Sequence, residues 1–353
     1  MIPMVIKITL LLVFFAVMVG IGLYCRRHAT NVSGFVLGGR SVGPWLTAFA
    51  YGTSYFSAVV FVGYAGQFGW KYGIAATWAG IGNALLGSLL AWAVLGRRTR
   101  IMSQHLDSAT MPEFFGKRFG SKSLKIAASV IIFIFLIPYT ASLYNGLSRL
   151  FGMAFNIDYS VCVIVMAVLT GVYVIAGGYM ATAINDFIQG IIMIFGICAV
   201  IAAVLHSQGG FMAALEGLAQ IQDPEVSQAP GVFASFFGPD PLNLLGVVLL
   251  TSLGTWGLPQ MVQKFYAIKD EKAIDTGMVI STVFAVFVSG GCYFLGGFGR
   301  LFSDKVDLAA GGYDSIIPTM LSGLPDLLIA VVVILVLSAS MSTLSSLVLA
   351  SSS

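Results

Sequence analysis

The chain has few charged residues. Asp, Glu, Lys and Arg make up 9% of its 353 residues, and apolar residues make up 58%, whereas a soluble domain carries about 25% charge. This composition excludes an ordinary soluble domain and indicates an integral membrane protein. Nine nearly uncharged runs approach the ~20 residues that cross a bilayer. The predicted spans are Ile8–Tyr24, Trp45–Gly69, Ala75–Leu95, Leu124–Leu147, Tyr159–Ala176, Phe187–Leu205, Leu242–Val262, Gly277–Gly299 and Leu327–Ala350.

Lysine and arginine are absent between His206 and Asn243. Because basic residues accumulate in cytoplasmic loops, their distribution predicts a multi-pass plasma-membrane protein whose N-terminus is outside. The net charge of +3 then reports topology and predicts no nucleic-acid partner. Thirteen of the 18 basic residues fall on the predicted cytoplasmic side, namely Arg26, Arg27, Arg40, Arg97, Arg98, Arg100, Lys117, Arg118, Lys122, Lys125, Lys264, Lys269 and Lys272.

A cleaved signal peptide is the alternative interpretation of the first span. Residues 1–24 contain a single lysine, and the run ends at Cys25-Arg26-Arg27-His28 without a small-residue cleavage site. We therefore predict that this helix is retained.

Histidine and cysteine are also scarce. The three histidines lie outside the predicted spans, and the spans contain no paired acids, no serine with a histidine base and no zinc motif. The four cysteines are scattered, without metal-ligand or disulfide spacing. These absences predict that the chain is not an enzyme.

Hydroxyl groups are concentrated in the ninth predicted span. Six of the nine residues from Ser338 to Ser346 are serine or threonine. Ser342 lies three or four positions from Ser338, Ala339, Ser345 and Ser346, which places these residues on one broad helical face. Such a face is suited to a small hard cation. The alternative is that the hydroxyls bond to carbonyls one turn earlier or allow close helix packing.

Two spans contain helix-breaking residues. The second span carries Tyr51–Ser57 around Gly52, and the seventh carries Thr251–Gln260 with Gly254, Gly257 and Pro259. The glycines also fit a role in close helix packing. Two interrupted spans five apart are the pattern of an inverted repeat of five helices, whose broken helices meet at mid-membrane.

Asp186 is the acidic residue that opens the predicted sixth span. An aspartate at an interface is suited to cap the first turn of a helix. An acidic residue at a span also marks an ion or solute pathway in many membrane proteins. The two roles are compatible, and the sequence leaves both open.

Several segments, in order along the chain, resemble the sodium:solute symporter family. One of them departs from the family pattern, since Asn185 stands where threonine is usual. The segments are Gly39–Gly43 with Thr53–Ser57, Met111–Gly120, Tyr173–Gly178 with Asp186–Gln189, and Gly257–Phe265.

The resemblance implies an all-α integral membrane protein with a leucine-transporter-like fold. We expect one transmembrane domain over residues 1–353, with an extra N-terminal helix at 1–28, a first five-helix repeat at 45–205 and a second repeat at 242–353. Because the chain stops at Ser353 without a charged flank after the ninth span, we expect the second repeat to be incomplete.

The resemblance also implies sites for the coupling ion, Na⁺. The main sodium site would use the backbone carbonyls of Thr53, Phe56 and Ala339 with the hydroxyls of Ser342 and Thr343. An uncharged all-oxygen site suits a hard monovalent ion that must also be released. A second sodium site of sialic-acid-type members would correspond to Asp186, Ser342, Ser345 and Ser346.

The predicted function is sodium-coupled import of a small organic solute, with oligomeric state left open. A carboxylate-bearing solute is expected, either an amino acid such as proline or a pantothenate-like molecule. Resemblance to proline transporters includes Tyr139, but Thr251 and Thr255 replace two aromatic residues and Tyr55 replaces an acidic one. A sensor module of a larger protein, a channel and an intramembrane enzyme are the alternatives. Candidate solute-binding residues are Ser54, Tyr55, Ser57, Tyr139, Thr251, Thr255 and Trp256.

Overall fold

The computed structural model describes residues 2–28, 31–155, 158–227 and 229–352. Residues 1, 156, 157 and 353 of the predicted repeats and N-terminal helix lie outside these ranges. Within them the regular structure is helical, apart from two isolated β-bridges. The α-helices are α1 (Ile2–Cys25), α2 (Val32–Leu37), α3 (Pro44–Tyr55), α4 (Ala65–Tyr72), α5 (Thr77–Gly82), α6 (Arg97–His105), α7 (Met111–Phe119), α8 (Lys122–Phe155), α9 (Tyr159–Ser207), α10 (Phe211–Gln220), α11 (Pro241–Leu253), α12 (Pro259–Ala267), α13 (Glu271–Ala285), α14 (Gly291–Gly296), α15 (Leu308–Gly311), α16 (Ile316–Ser322) and α17 (Asp326–Ser352).

Wider π-helical turns connect several of these helices. In each case the preceding and following residues keep right-handed helical dihedrals, so the chain continues in one direction. The π-helical segments are Val59–Tyr64, Asn83–Leu89, Trp92–Gly96 and Val286–Gly290.

Six helical stretches in the described ranges are long and apolar enough to cross a membrane, fewer than the nine predicted spans. Three predicted spans have no separate counterpart. The end of the second joins the third in Val59–His105, and the fifth and seventh correspond to the shorter apolar helices Val163–Val172 and Pro241–Leu253. The six stretches are Lys7–Cys25, Val59–His105, Lys122–Tyr144, Val174–Ser207, Glu271–Gly296 and Asp326–Ser351. The chain is a multi-pass membrane protein.

The predicted fifth and sixth spans join in α9, which changes direction at Gly178. This residue has φ 55° and ψ −148°, a conformation that is open to glycine because it lacks a Cβ atom. A Cβ there would also lie 2.7 Å from the Phe35 carbonyl oxygen. The sixth span thus begins after Gly178. The prediction that Asp186 caps this span is wrong, because Asp186 lies about two turns inside the helix.

The core is built around α17 and the second half of α9. α17 packs along α8 and α9, and α9 also packs on α1 and α3. In the membrane-crossing part of α17, 72% of residues are buried, against 11% in α8, so α17 is central and α8 peripheral. The hydroxyl-rich face of α17 therefore lies inside the helical bundle.

The glycines of the second span allow close packing between helices. Gly69 of α4 and Gly296 of α14 approach so closely that a Cβ on either would overlap the backbone of the other helix. Gly52 stays helical within α3, and a Cβ there would overlap the ring of Phe284. The packing interpretation is therefore correct for these glycines, and the break lies elsewhere.

Candidate functional site

The second span is interrupted immediately after α3. Phe56 has an extended conformation, with φ −105° and ψ 93°. The amides of Val60 and Phe61 both donate to the carbonyl of Ser57, at 3.0 and 3.2 Å, as the next helical turn begins. In a continuous helix the Val60 amide would donate to the Phe56 carbonyl. Here it donates to the Ser57 carbonyl instead. The prediction of a broken second span is confirmed, although the break lies at Phe56 and not at Gly52.

Four oxygen atoms from the break and from α17 converge in the interior. The Ser342 hydroxyl lies 3.3 Å from the Thr53 carbonyl oxygen and 3.2 Å from that of Ala339. The Thr343 hydroxyl lies 3.3 and 3.1 Å from the same two oxygens. All four residues are buried. Phe56 and Ala339 line one small cavity, which places Phe56 beside the four residues of the predicted main sodium site that these contacts bring together.

This donor set fits a small hard cation. It contains two carbonyl and two hydroxyl oxygens and no formal charge, which are hard ligands of the type that alkali and alkaline-earth ions prefer. Each hydroxyl is shared between two carbonyls at distances near the long end of the hydrogen-bond range. A cation between these oxygens would replace those shared hydrogen bonds with direct ligand contacts.

A lysine enters the predicted second sodium site. Lys264 of α12 donates to the Ser346 hydroxyl at 3.0 Å, and its Nζ lies 3.7 Å from Asp186 Oδ2. Ser346 also pairs with Ser54 at 2.8 Å, and the Ser345 hydroxyl donates to the Ser342 carbonyl at 3.0 Å. The topology prediction counted Lys264 as a loop residue, but its side chain is 1% exposed.

A cavity of about 760 Å³ lies between the two broken spans. It is lined by five of the seven predicted solute-binding residues: Tyr55, Ser57, Tyr139, Thr251 and Thr255. The other two do not line it, because Ser54 pairs with Ser346 and the indole of Trp256 donates to the Leu86 carbonyl at 2.9 Å. The described lining residues include no charged side chain. Polar lining residues that were not predicted are Tyr64, Gln67, Asn83, Ser142 and Tyr293.

Asn83 connects four predicted spans at this cavity. Its Oδ1 accepts hydrogen bonds from the hydroxyls of Tyr55 at 3.3 Å and Ser252 at 3.2 Å. Its Nδ2 donates to Ser289 at 3.2 Å. The Tyr55 hydroxyl also donates to the Thr251 carbonyl at 2.7 Å. A lone asparagine in an otherwise apolar third span is the signal that would have identified this residue.

Two arginines, Arg40 before α3 and Arg100 of α6, bind carbonyls at the end of α12 and just after it. Arg40 donates to the Ser108 carbonyl at 2.8 Å and to the Tyr266 carbonyl at 3.4 Å. Arg100 donates to the Ile268 carbonyl at 2.9 Å and to the Lys269 carbonyl. Burial lowers the pKa of Arg40, and the nearby Asp107 carboxylate opposes this effect. We call these two arginines and the carbonyls that they bind the basic-end clasp.

The family model of the sodium:solute symporter family matches residues 35–353, and the chain belongs to this family. Among curated relatives, the sodium/proline symporters of Staphylococcus aureus strains JH9 and NCTC 8325 / PS 47 are each 32% identical over 268 residues, or 74% of this chain and 50% of the relative. The chain thus spans about half the length of these relatives. The predicted family is confirmed, as is the prediction that the chain is not an enzyme, since the family and these relatives are symporters.

A solved structure shares the fold. It is a Na⁺-coupled sialic acid symporter in a substrate-bound outward-open state, with a TM-score of 0.77 and 15% sequence identity, and the match covers 97% of this chain and 71% of that chain. At this identity the likeness establishes the fold alone. The predicted all-helical membrane fold is confirmed.

Proposed function

We propose that the complete protein is a sodium-coupled symporter that imports a small organic solute. The observation that carries this proposal is the convergence of the Thr53 and Ala339 carbonyls with the Ser342 and Thr343 hydroxyls. This cluster joins the break in the second span to the central helix α17. Membership in the sodium:solute symporter family supports sodium as the coupling ion.

The fold proposal is an inverted repeat of five helices that follows an extra N-terminal helix. The two breaks, at Phe56 and between α11 and α12, support it because they face each other across one cavity. This chain spans about half the length of its matched relatives. We retain the predicted orientation, with the N-terminus outside and the basic-end clasp at the cytoplasmic surface.

Sodium would act by holding two elements together. An ion between Thr53 and Ser342 would tie the end of α3 to α17 and fix the adjacent residues Tyr55 and Ser57, which line the cavity. An ordered cavity binds the solute with a smaller entropic cost. Sodium and solute must then strengthen each other's binding, because coupling between two sites is reciprocal. Release of both would follow opening of the basic-end clasp.

A small carboxylate-bearing solute fits the cavity best. Its lining provides hydroxyl, amide and aromatic groups around a neutral space, and Leu258 and Pro259 at the start of α12 form part of the wall. The N-terminus of a half-helix attracts an anionic group. The matched relatives are sodium/proline symporters, which makes proline the first candidate, with pantothenate-like molecules as the second.

Uptake by vesicles tests the proposed function. We expect the complete protein to accumulate radiolabelled proline, or another carboxylate-bearing solute from a panel, about tenfold or more above the level without sodium, because only the bound ion completes the site. The measurement compares an inward sodium gradient with an equal potassium gradient. Accumulation of the same solute at equal rates under both gradients would refute sodium coupling.

Removal of Arg100 is expected to open the basic-end clasp. An Arg100→Ala variant leaves the Ile268 and Lys269 carbonyls without their charged donor. At about 1.5–3 kcal/mol for a hydrogen bond to a charged group, this loss shifts the conformational equilibrium by about tenfold or more. We expect a Ser108→Cys reporter, buried at present, to react about tenfold faster with a membrane-impermeant maleimide.

The matched control for this experiment is Arg98→Ala. Arg98 lies two residues before Arg100 in α6 but is exposed, and its loss should leave the labelling rate of the reporter unchanged. Equal labelling rates in the Arg98 and Arg100 variants would show that the clasp does not hold this end closed.

A further inference from the structure

We propose that the Lys264 ammonium is the permanent cation of the site formed by Asp186, Ser345 and Ser346, and that it takes the place of a second sodium ion. The coupling would then use one sodium ion, bound at the main site. This inference rests on the proposed function and specifies its ion stoichiometry. It differs from the sequence prediction, which assigned sodium to the Asp186 site.

The position of the ammonium carries the argument. Lys264 Nζ lies 3.0 Å from the Ser346 hydroxyl, 3.7 Å from Asp186 Oδ2 and 5.2 Å from the centre of the Tyr179 ring. These are an oxygen ligand, a counter-charge and an aromatic face, which together satisfy a buried cation. Lys264 and Asp186 are 1% and 0% exposed, so bulk water does not screen the pair.

A sodium ion bound by Asp186 and Ser346 would lie only a few ångströms from this ammonium. Two positive charges that close repel strongly in a buried site, where the effective dielectric constant is far below that of water. The single carboxylate of Asp186 compensates one positive charge. The charges of this site therefore balance with the lysine in place and leave no negative charge for a second cation.

The Asp186 site also has oxygen atoms that could bind a sodium ion if the lysine were absent. Neither carboxylate oxygen of Asp186 has a hydrogen-bond partner among the described residues. Ser346 is shared between Lys264 and Ser54. If the ammonium were removed, the buried Asp186 carboxylate and the neighbouring hydroxyl oxygens would remain. Such a set of oxygen ligands with one negative charge is suited to sodium.

The lysine also differs from a free ion in its attachment to α12. This half-helix follows the break in the seventh span, while Asp186 belongs to α9 and Ser346 to α17. A tethered ammonium links these three helices as an ion would, but it cannot leave at the end of a transport cycle. The only positive charge imported with the solute would then be the sodium ion of the main site.

Equilibrium binding of ²²Na⁺ to the purified complete protein tests this inference. We expect about one sodium ion per wild-type protein and per Lys264→Arg variant, since both keep the buried positive charge. Lys264→Gln should bind about two, because the unpaired Asp186 recruits a second ion. The double variant Lys264→Gln/Asp186→Asn should return to about one. Lys272→Gln, which alters an exposed lysine in the first turn of α13, is the matched control and should keep the wild-type value.

The outcomes separate this inference from the proposed function. Two ions on the wild-type protein, or no Asp186-dependent gain in Lys264→Gln, would overturn the inference. The wild-type count decides the matter if Lys264→Gln cannot be purified. Absence of sodium from the wild-type protein, together with a gain of one ion in Lys264→Gln, would instead contradict the proposed function and support the role of Lys264.

Discussion

An Ser342→Ala variant is expected to need about 10–100 times more sodium for half-maximal solute uptake than the wild-type protein. The substitution removes one of four converging oxygens at the proposed main sodium site, and the Ser342 hydroxyl contacts both carbonyls of that cluster. Interaction of a hydroxyl with a charged group contributes about 1.5–3 kcal/mol, which corresponds to this change in affinity. The measurement is a sodium titration of uptake at constant ionic strength.

Ser351→Ala provides the comparison for this titration. Ser351 lies on the same helix but is exposed, and its hydroxyl donates only to the Val348 carbonyl at 3.1 Å in the described contacts. Its removal should leave the sodium dependence unchanged. A Ser342→Ala variant with wild-type sodium dependence would show that this hydroxyl is not a ligand and that its role is confined to helix packing.

Replacement of Asn83 by leucine is expected to abolish uptake and to lower the free energy of unfolding by about 2–3 kcal/mol. Three side-chain hydrogen bonds are lost, each of which contributes about 0.5–1.5 kcal/mol. The loss leaves the hydroxyls of Ser252, Ser289 and Tyr55 with one partner fewer each, and Tyr55 lines the cavity. Thermal unfolding in detergent and proline uptake in vesicles measure the two effects.

Asn243→Leu is the matched variant at an exposed position, near the start of α11. It makes the same chemical change without disturbing the cavity, so both stability and uptake should remain close to wild type. If Asn83→Leu lowers stability but retains uptake with unchanged solute affinity, Asn83 supports the fold and does not shape the solute site.

The breaks in the second and seventh spans were predictable because their causes are local. Pro259 lacks an amide donor and cannot continue α11, and α12 begins at this residue. In the second span, glycine and hydroxyl residues marked the right segment but not the right residue. Gly52 packs against the ring of Phe284 in α13. A single sequence does not reveal this tertiary contact.

The residues assigned to a main sodium site lie together in the structure more completely than those assigned to the solute, and ion binding there stays a prediction. They were assigned from one helical face of α17 and from the family resemblance. Ser54 was assigned to the solute, but the rotation of α3 directs its hydroxyl to Ser346. Asn83 was missed because its three hydrogen-bond partners come from distant parts of the chain.

The positions of the charged residues Lys264 and Asp186 were predicted least well from the sequence. Lys264 resembles a loop lysine by its position after the seventh span, and Asp186 resembles a helix cap. The structure places them 3.7 Å apart in the interior. A buried charge is tolerated when a partner of opposite sign is nearby, and that pairing depends on how α9 and α12 pack.

The central claim is that sodium binds between the break at Phe56 and the hydroxyl face of α17. The most direct measurement is thermal stability of the complete protein in increasing sodium chloride, with potassium chloride as the reference, for wild type and for Ser342→Ala/Thr343→Ala. A ligand of the folded state at about 100 times its dissociation constant stabilises by about 2.7 kcal/mol. We predict a sodium-specific rise in melting temperature that is lost in the double variant. An equal rise in both proteins would contradict it.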